Sequence, residues 1–339
     1  MGPAKTGFYL PDGLANWPWT RKLNPHYQKV KAESEAWITS FGAFDEHAQR
    51  SFNKCDFSLL ACLGYCEADK DHVRTGCDLM NFLFLFDELS DVEDEKGVRA
   101  QADSIMDALR NPHISRPTGE SILGEVTRQF WARAVQMMSA SSQKRFISAT
   151  GTHVEAMVQQ AKDRSDGYQD RRSIESYISI RRGTIAAKLA FAVLEWDMEL
   201  PESVKKHPLI VNMETCCMDM LILSNDMYSY NIEQAKGDDG HNIVTVVMQE
   251  KDTDVQWALH WVRQYYRRIT SQFLRDKEML PSWGNDVDKQ IARYVEGLGN
   301  WARGHDQWCF ETERYFGTGA LEIQEERWIE MLPKRSKEA

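Results

Sequence analysis

Residues 26–339 read as a single large all-α helical bundle, entered through an extended N-terminal arm over residues 1–25. Three observations predict this. From His26 onward apolar residues recur at i, i+3, i+4 and i+7, the period of a helix with one buried face, and hardly any bounded stretch alternates as a strand would. The joints between periodic segments are short, as in compact bundles. No linker divides the chain, and no internal repeat at a period of roughly 20 to 50 residues supports a helical solenoid.

In order, the arm carries Pro3, Pro11, Pro18 and Pro25 among aromatics, a composition that packs as extended chain on the outside of a body rather than as a helix. Helical periodicity then predicts segments over 26–42, 45–64, 69–93, 98–110, 119–139, 142–164, 172–197, 203–235, 253–278 and 284–316, the last broken. Turn chemistry separates them: Asn111-Pro112 to Gly119, Arg164 to Gly167, Pro201, Gly237-Asp238-Asp239-Gly240, and Pro281 with Gly284.

Hydrophobic residues make up 42% of the 339 and aromatics 11%, and the 11 Trp and 14 Met supply a large, adaptable apolar interior. The 41 basic against 51 acidic residues argue against a nucleic-acid or anionic-membrane surface, so an anionic substrate would need help from metal. Seven cysteines form no C-x-x-C pair and no N-x-S/T sequon occurs, which reads as reduced thiols in a cytosol. No charged-then-apolar signal pattern opens the chain. The longest apolar run, 79–86, is too short to span a bilayer, and a soluble cytoplasmic protein is expected.

Asn225, Ser229 and Glu233 recur every four residues, so on a helix an amide oxygen, a hydroxyl and a carboxylate form one stripe. An all-oxygen set of low charge suits Mg²⁺ or Mn²⁺ rather than Zn²⁺ and leaves the ion positive charge to spend on an anion such as a diphosphate. The bland alternative is a polar helix face with coincidental spacing. A second signal lies at 78–94, where a helix apolar on most faces runs into Asp87 and Asp91, four apart on one face. Carboxylates at the rim of a core are costly without a cation. The competing reading is a solvated helix end, since Glu93-Asp94-Glu95 continue the acidic run.

Asp87-Glu88-x-x-Asp91 resembles the aspartate-rich motif of class I terpene synthases, and Asn225-Asp226-x-x-Ser229-x-x-x-Glu233 their second metal motif. Arg181-Arg182-Gly183-Thr184 is similar to the family's diphosphate-sensing segment, Arg314-Tyr315 to its terminal pair, and Asn24-Pro25-His26-Tyr27 to its arm-to-helix junction, most of all in sesquiterpene synthases of mushroom-forming fungi. The resemblance covers nearly the whole chain. It implies the class I terpenoid synthase bundle and Mg²⁺, three ions expected with Mn²⁺ able to substitute, held by Asp87, Asn225, Ser229 and Glu233. It further implies that Arg181, Lys236, Arg314 and Tyr315 donate to the substrate diphosphate, with Asp91 an acceptor on closure and Thr184 linking the sensor to a helix break.

Two departures are visible. Glu88 stands where an aspartate is common, and Ile185 follows Thr184 where glycine is expected, which leaves open the carbonyl at the break and the choice of Arg181 or Arg182 as sensor. The implied activity is cyclisation of farnesyl diphosphate to a sesquiterpene by 1,11-closure through a humulyl cation, with a Delta(6)-protoilludene-like product, by a monomer or homodimer. A chain-elongating prenyltransferase would want a second aspartate-rich motif, and a non-enzymatic helical interaction protein no metal at all. Trp301, Trp308 and Tyr315 recur every seven residues and so share a face. Trp308, roughly 10 Å deeper than Arg314-Tyr315, is a cation-pocket candidate with Phe84 and Thr184, although heptad spacing also fits ordinary packing, more so for Trp301. His305-Asp306 reads as a solvated pair, and Cys216-Cys217 as core.

Overall fold

Aspartate, serine and asparagine side chains decide where most helices start. Asp45, Asp69, Asp94, Ser139, Ser173, Asn242 and Asp254 each accept from a backbone N–H two or three residues on, caps worth about 1 kcal/mol apiece. The computed structural model describes residues 6–167 and 172–334; Pro3 and the remainder of 1–5, with 335–339 of the predicted body, lie outside the described residues. Its helices are α1 (Tyr27–Thr39), α2 (Glu46–Lys54), α3 (Phe57–Gly64), α4 (Lys70–Asp91), α5 (Glu95–Arg110), α6 (Ile122–Ala134), α7 (Ala140–Ser165) and α8 (Ile174–Thr184), followed by α9 (Ala187–Val193), α10 (Glu202–Lys205), α11 (Pro208–Lys236), α12 (Ile243–Lys251), α13 (Val255–Glu278), α14 (Asn285–Glu311), α15 (Glu313–Phe316) and α16 (Ala320–Glu326).

Several predicted segments are divided, each for a local reason. Segment 45–64 breaks at Asp56, which adopts the left-handed conformation (φ 46°) and caps α3 by accepting from Leu59. Segment 203–235 breaks where Pro208 opens α11. Segment 172–197 breaks at Ile185-Ala186, with Ala186 left-handed (φ 57°). The acidic run at 93–95 is exposed, and its Asp94 caps α5. Helix α12 escapes the periodicity because Ile243, Val244, Thr245, Val246 and Val247 are all buried, leaving no polar face to set a period.

Helices α4 and α11 run through the interior. The first packs on α1 and α3, the second on α13 and α14, and both bury residues on every face, which is what a strongly apolar helix must do. Residues 6–25 contain no helix. They pair β1 (Gly7–Tyr9) antiparallel with β2 (Trp328–Glu330) and bury Leu10, Leu14, Trp17 and Trp19 against the body. Among the described residues no helix is long and apolar enough to cross a membrane.

Candidate active site

Helices α4, α7, α11 and α14 and the α8–α9 break enclose a cavity of about 430 Å³. Its wall changes character along each helix: Met80 and Leu83 precede Asp87 on α4, and Leu221 precedes Asn225, Ser229 and Glu233 on α11. Seven residues of helix separate Met80 from Asp87, roughly 10 Å. One end of the cavity is therefore charged and the other apolar.

Asp87, Asp91, Arg181, Thr184, Asn225, Ser229, Glu233, Lys236, Arg314, Tyr315 and Phe84 all line this one cavity. Arg181 donates to Asn225 Oδ1 (2.7 Å) and Asp226 Oδ1 (3.2 Å) and reaches Thr184 Oγ1 at 3.3 Å. Burial works against its charge, but Asp226, Tyr177 and Glu233 outweigh that and hold its pKa above the ordinary value. Arg182, one residue on, points elsewhere and forms a two-pronged pair with Asp219 at 2.7 Å on both prongs. Asn225 also donates to the Tyr315 hydroxyl (2.8 Å), and Arg314 Nε lies 3.3 Å from the same oxygen. Arg314 extends its guanidinium over the Phe84 ring, 4.9 Å from its centre, and lies 3.8 Å from Glu88.

Burial sets the titration of two of the site's carboxylates. Burial pushes the Glu233 carboxyl up to about 7, although Ser229 and the Asn242 amide (2.9 Å) donate to it. Burial at the cavity wall and then the Asp87 charge push Asp91 up to about 7, against the pull of Arg164 at 3.7 Å. Its side chain is 58% exposed, so water screens much of that crowding. Among the described residues no three His, Cys, Asp or Glu side chains are grouped to hold a metal ion; amide and hydroxyl oxygens must do part of the work. Asn225, Ser229 and Glu233 on successive turns of α11, the last a buried carboxylate of raised pKa, fit a divalent oxygen-seeking cation.

Trp308 requires a correction. Its indole is fully buried outside the cavity wall, between His305, Phe57 and Phe84, and its N–H donates to the Cys55 carbonyl at 2.8 Å. Trp301, read as the more ordinary packing residue, lines the cavity instead. The reason is that Gly64 has no side chain: a Cβ there would stand 2.5 Å from the Trp301 ring, so α3 leaves room for the indole. The His305-Asp306 pair is not solvated either; both side chains are buried, Asp306 accepting from Tyr228 at 2.6 Å. Cys216 and Cys217 are buried, as their apolar helix face implies.

Sequence reasoning missed Asp226, Asn242 and Arg164. Asp226 accepts from the Tyr177 hydroxyl and from the Ile243 N–H (3.1 Å), tying the α11 motif to α8 and α12. Asn242 caps α12 and donates to Glu233 and to the Asp226 carbonyl; its place just after a glycine turn is a start signal that pointed to it. Arg164 donates to the carbonyls of Ser90 and Glu93 at the end of α4, and nothing in its local sequence signals this.

Residues 78–272 match the family model described as terpene synthase family 2, C-terminal metal binding. The chain is 52% identical to a Delta(6)-protoilludene synthase of Armillaria gallica over 97% of its own length and 95% of the relative's. It is equally similar, at 52%, to one of Stereum hirsutum, over 99% and 91%. Among solved structures, α-eudesmol synthase superposes with a TM-score of 0.79 at 18% identity, covering 87% of this chain and 98% of that one. Germacradien-4-ol synthase from Streptomyces citricolor gives 0.76 at 22%, covering 90% and 98%. Fold, family model and full-length relatives agree: the chain belongs to the class I terpene synthases and is a terpene cyclase, a carbon–oxygen lyase.

Proposed function

We propose that the protein ionises farnesyl diphosphate with Mg²⁺ and cyclises the resulting cation to a sesquiterpene, releasing diphosphate. The observation that carries this reading is one cavity with hydrogen-bond donors and carboxylates at one end and Trp301, Leu83, Met80 and Leu221 at the other. Its volume falls within the range of roughly 300 to 1,000 Å³ typical of small-molecule sites. Asp87, Asn225, Ser229 and Glu233 would hold Mg²⁺, which supplies neutralisation of charge on the departing diphosphate.

The chain's own residues do the rest. Arg181, Lys236, Arg314 and Tyr315 present donors to the diphosphate, preorganised charge that costs no reorganisation at the moment of cleavage. Arg181 also donates to the Asn225 oxygen, which ties the guanidinium to the α11 motif at the charged end of the cavity. Asp91 then accepts from an arginine on closure, with Arg164 nearest to it. Trp301 offers its ring to the cation, a contact worth about 2 kcal/mol once water is excluded, while the Phe84 ring, stacked on Phe57 and covered by the Arg314 guanidinium, shapes the wall.

The relatives' names favour 1,11-closure through a humulyl cation to a Delta(6)-protoilludene-like hydrocarbon. Seven free cysteines are in keeping with a reducing, cytosolic setting. Incubating purified protein with geranyl, farnesyl and geranylgeranyl diphosphates, in Mg²⁺ or EDTA, with gas chromatography and mass spectrometry, tests the reading. A C15 hydrocarbon from farnesyl diphosphate in Mg²⁺ alone is expected. Full turnover in EDTA overturns the metal assignment, and a predominantly 1,10-derived product the closure.

A further inference from the structure

Three histidines line the cavity: His153, His241 and His305. Two already have clear work. His153 Nδ1 holds the Gly183 carbonyl (3.0 Å), bracing the end of α8, and His241 Nε2 lies 3.5 Å from Thr184 Oγ1. His305 has no comparable duty. It is 6% exposed, on the face of α14 that also carries Trp301 one turn earlier.

The hydrogen bonds around His305 are best met by one tautomer. The Ser224 hydroxyl has one proton, and it donates this to the Met220 carbonyl at 2.9 Å, with Leu221 O at 3.2 Å, the usual back-bond of a serine within a helix. Its lone pair therefore accepts from His305 Nδ1–H at 3.0 Å, and Cys309 Sγ lies 4.0 Å from the same nitrogen. Nε2 is then the bare nitrogen. It has no hydrogen-bond partner among the described residues, in a residue that lines the cavity. A bare lone pair on a residue of the cavity wall is open to accept from whatever the cavity holds.

We propose that His305 is the base that ends the reaction, its Nε2 removing the proton from the last carbocation to give the alkene. The inference rests on the reading that the substrate is a prenyl diphosphate. The C–H bond beside the cationic carbon breaks, its electron pair becomes the π bond, and the proton passes to Nε2. The imidazolium then gives that proton to the released diphosphate, so charge and atoms balance without another reactant. Position favours the transfer: His305 lines the same cavity as Arg181, Arg314 and Tyr315, and lies near enough to feel the charges of both arginines.

Electrostatics favours it as well. Burial, then the charges of Arg181 and Arg314, push the imidazole down to about 3. The histidine thus enters the reaction neutral and able to accept. Diphosphate brought in by substrate offsets both arginines, so the imidazolium becomes easier to form only after the leaving group has arrived. A carbocation is acidic enough to protonate even a weak base.

The test uses His305→Phe, which has no lone pair to accept the proton, and His305→Gln, whose amide oxygen is a far weaker base than an imidazole nitrogen, with His153→Gln as comparator and Ser224→Ala to release the tautomer. Diphosphate release from farnesyl diphosphate in Mg²⁺ is measured beside the product spectrum, with melting temperature as the fold control. In both His305 variants release stays within tenfold of wild type, while the share of the wild-type alkene falls at least fivefold toward alcohols and alkenes of earlier cations. Ser224→Ala shifts the same products by a smaller factor. An unchanged spectrum in folded His305→Gln overturns the proposal but leaves the substrate reading intact. A native spectrum in His305→Phe, or a fivefold shift in His153→Gln alone, also overturns it. Absence of diphosphate release by the wild type from any prenyl diphosphate overturns both.

Discussion

Burial outweighs the two donors to Glu233 and the Arg181 charge, and pushes its carboxyl up to about 7 from the ordinary value of 4.5. A folded-state pKa above the unfolded one means that the folded protein binds more protons between those values. Its stability is fully present below about 4.5 and is lost as pH rises through about 7. Buried His305 has the opposite sign and weakens the fold only below its ordinary 6.5. In EDTA, Glu233→Gln should therefore gain on wild type as pH climbs from 5 to 8, by an amount on the order of 3 kcal/mol or less in urea melts. A difference that stays flat across this range would remove the burial argument. The same variant, and Asp87→Asn, should lose several orders of magnitude in turnover in Mg²⁺. The two tryptophans separate by a similar comparison: Trp308→Leu removes a buried ring and an N–H bond to Cys55, costing about 3 kcal/mol or more with the product spectrum kept. Trp301→Leu, on the cavity wall, should move the products; the reverse pattern would return Trp308 to the pocket.

At the scale of elements, the break between α8 and α9 brings Thr184, Ile185 and Ala186 to the cavity. It does so with a strained residue, because Ala186 takes φ 57° where glycine would cost nothing. Ala186→Gly relieves that strain but adds entropy to the unfolded chain, so a net gain of about 0.5 kcal/mol is expected, whereas Ala186→Val should cost roughly 2 kcal/mol or more in urea unfolding. Equal stability of the two variants would mean the break relaxes. The resemblance implies a break beside Thr184, but the periodicity alone does not show one, since Ile185-Ala186 is an unremarkable helical dipeptide and only tertiary packing forces the turn. The same limit explains Asp56, which reads as mid-helix until its left-handed φ is seen. By contrast α4 and α11 were legible with their site residues, because an i, i+4 stripe needs only helical geometry to converge. Trp301 and Trp308 were not separable: heptad spacing gives a shared face but not which ring a neighbouring helix covers, and that was decided by Gly64 on α3.

At the scale of the molecule, the arm is part of how the cavity wall is held. Trp17 donates to the Gly299 carbonyl (3.0 Å) and Trp19 to Glu296 (2.7 Å), while Arg303 reaches back to the carbonyls of Trp19 and Leu14. All three partners belong to α14, the helix that carries Trp301 and His305 and leads to Arg314-Tyr315. The contact depends on Gly299 lacking a side chain, for a Cβ there would stand 2.1 Å from the Trp19 ring. Neither surface yields cheaply, since the indole is wedged between Trp17 and Phe273 and Gly299 is in mid-helix. Gly299→Ala is a gain for the helix itself, by up to about 1 kcal/mol. It should nevertheless cost the protein roughly 1 to 3 kcal/mol through overpacking, and the arm rather than α14 should give way. Arg21 and Lys22 lie at the arm's exposed end, so trypsin reports its release. Cleavage there should speed up at least tenfold in Gly299→Ala, with the product spectrum broadened as the α14 wall loosens. If cleavage keeps the wild-type rate while the melting temperature falls, α14 has moved instead and the arm is only a passenger on it.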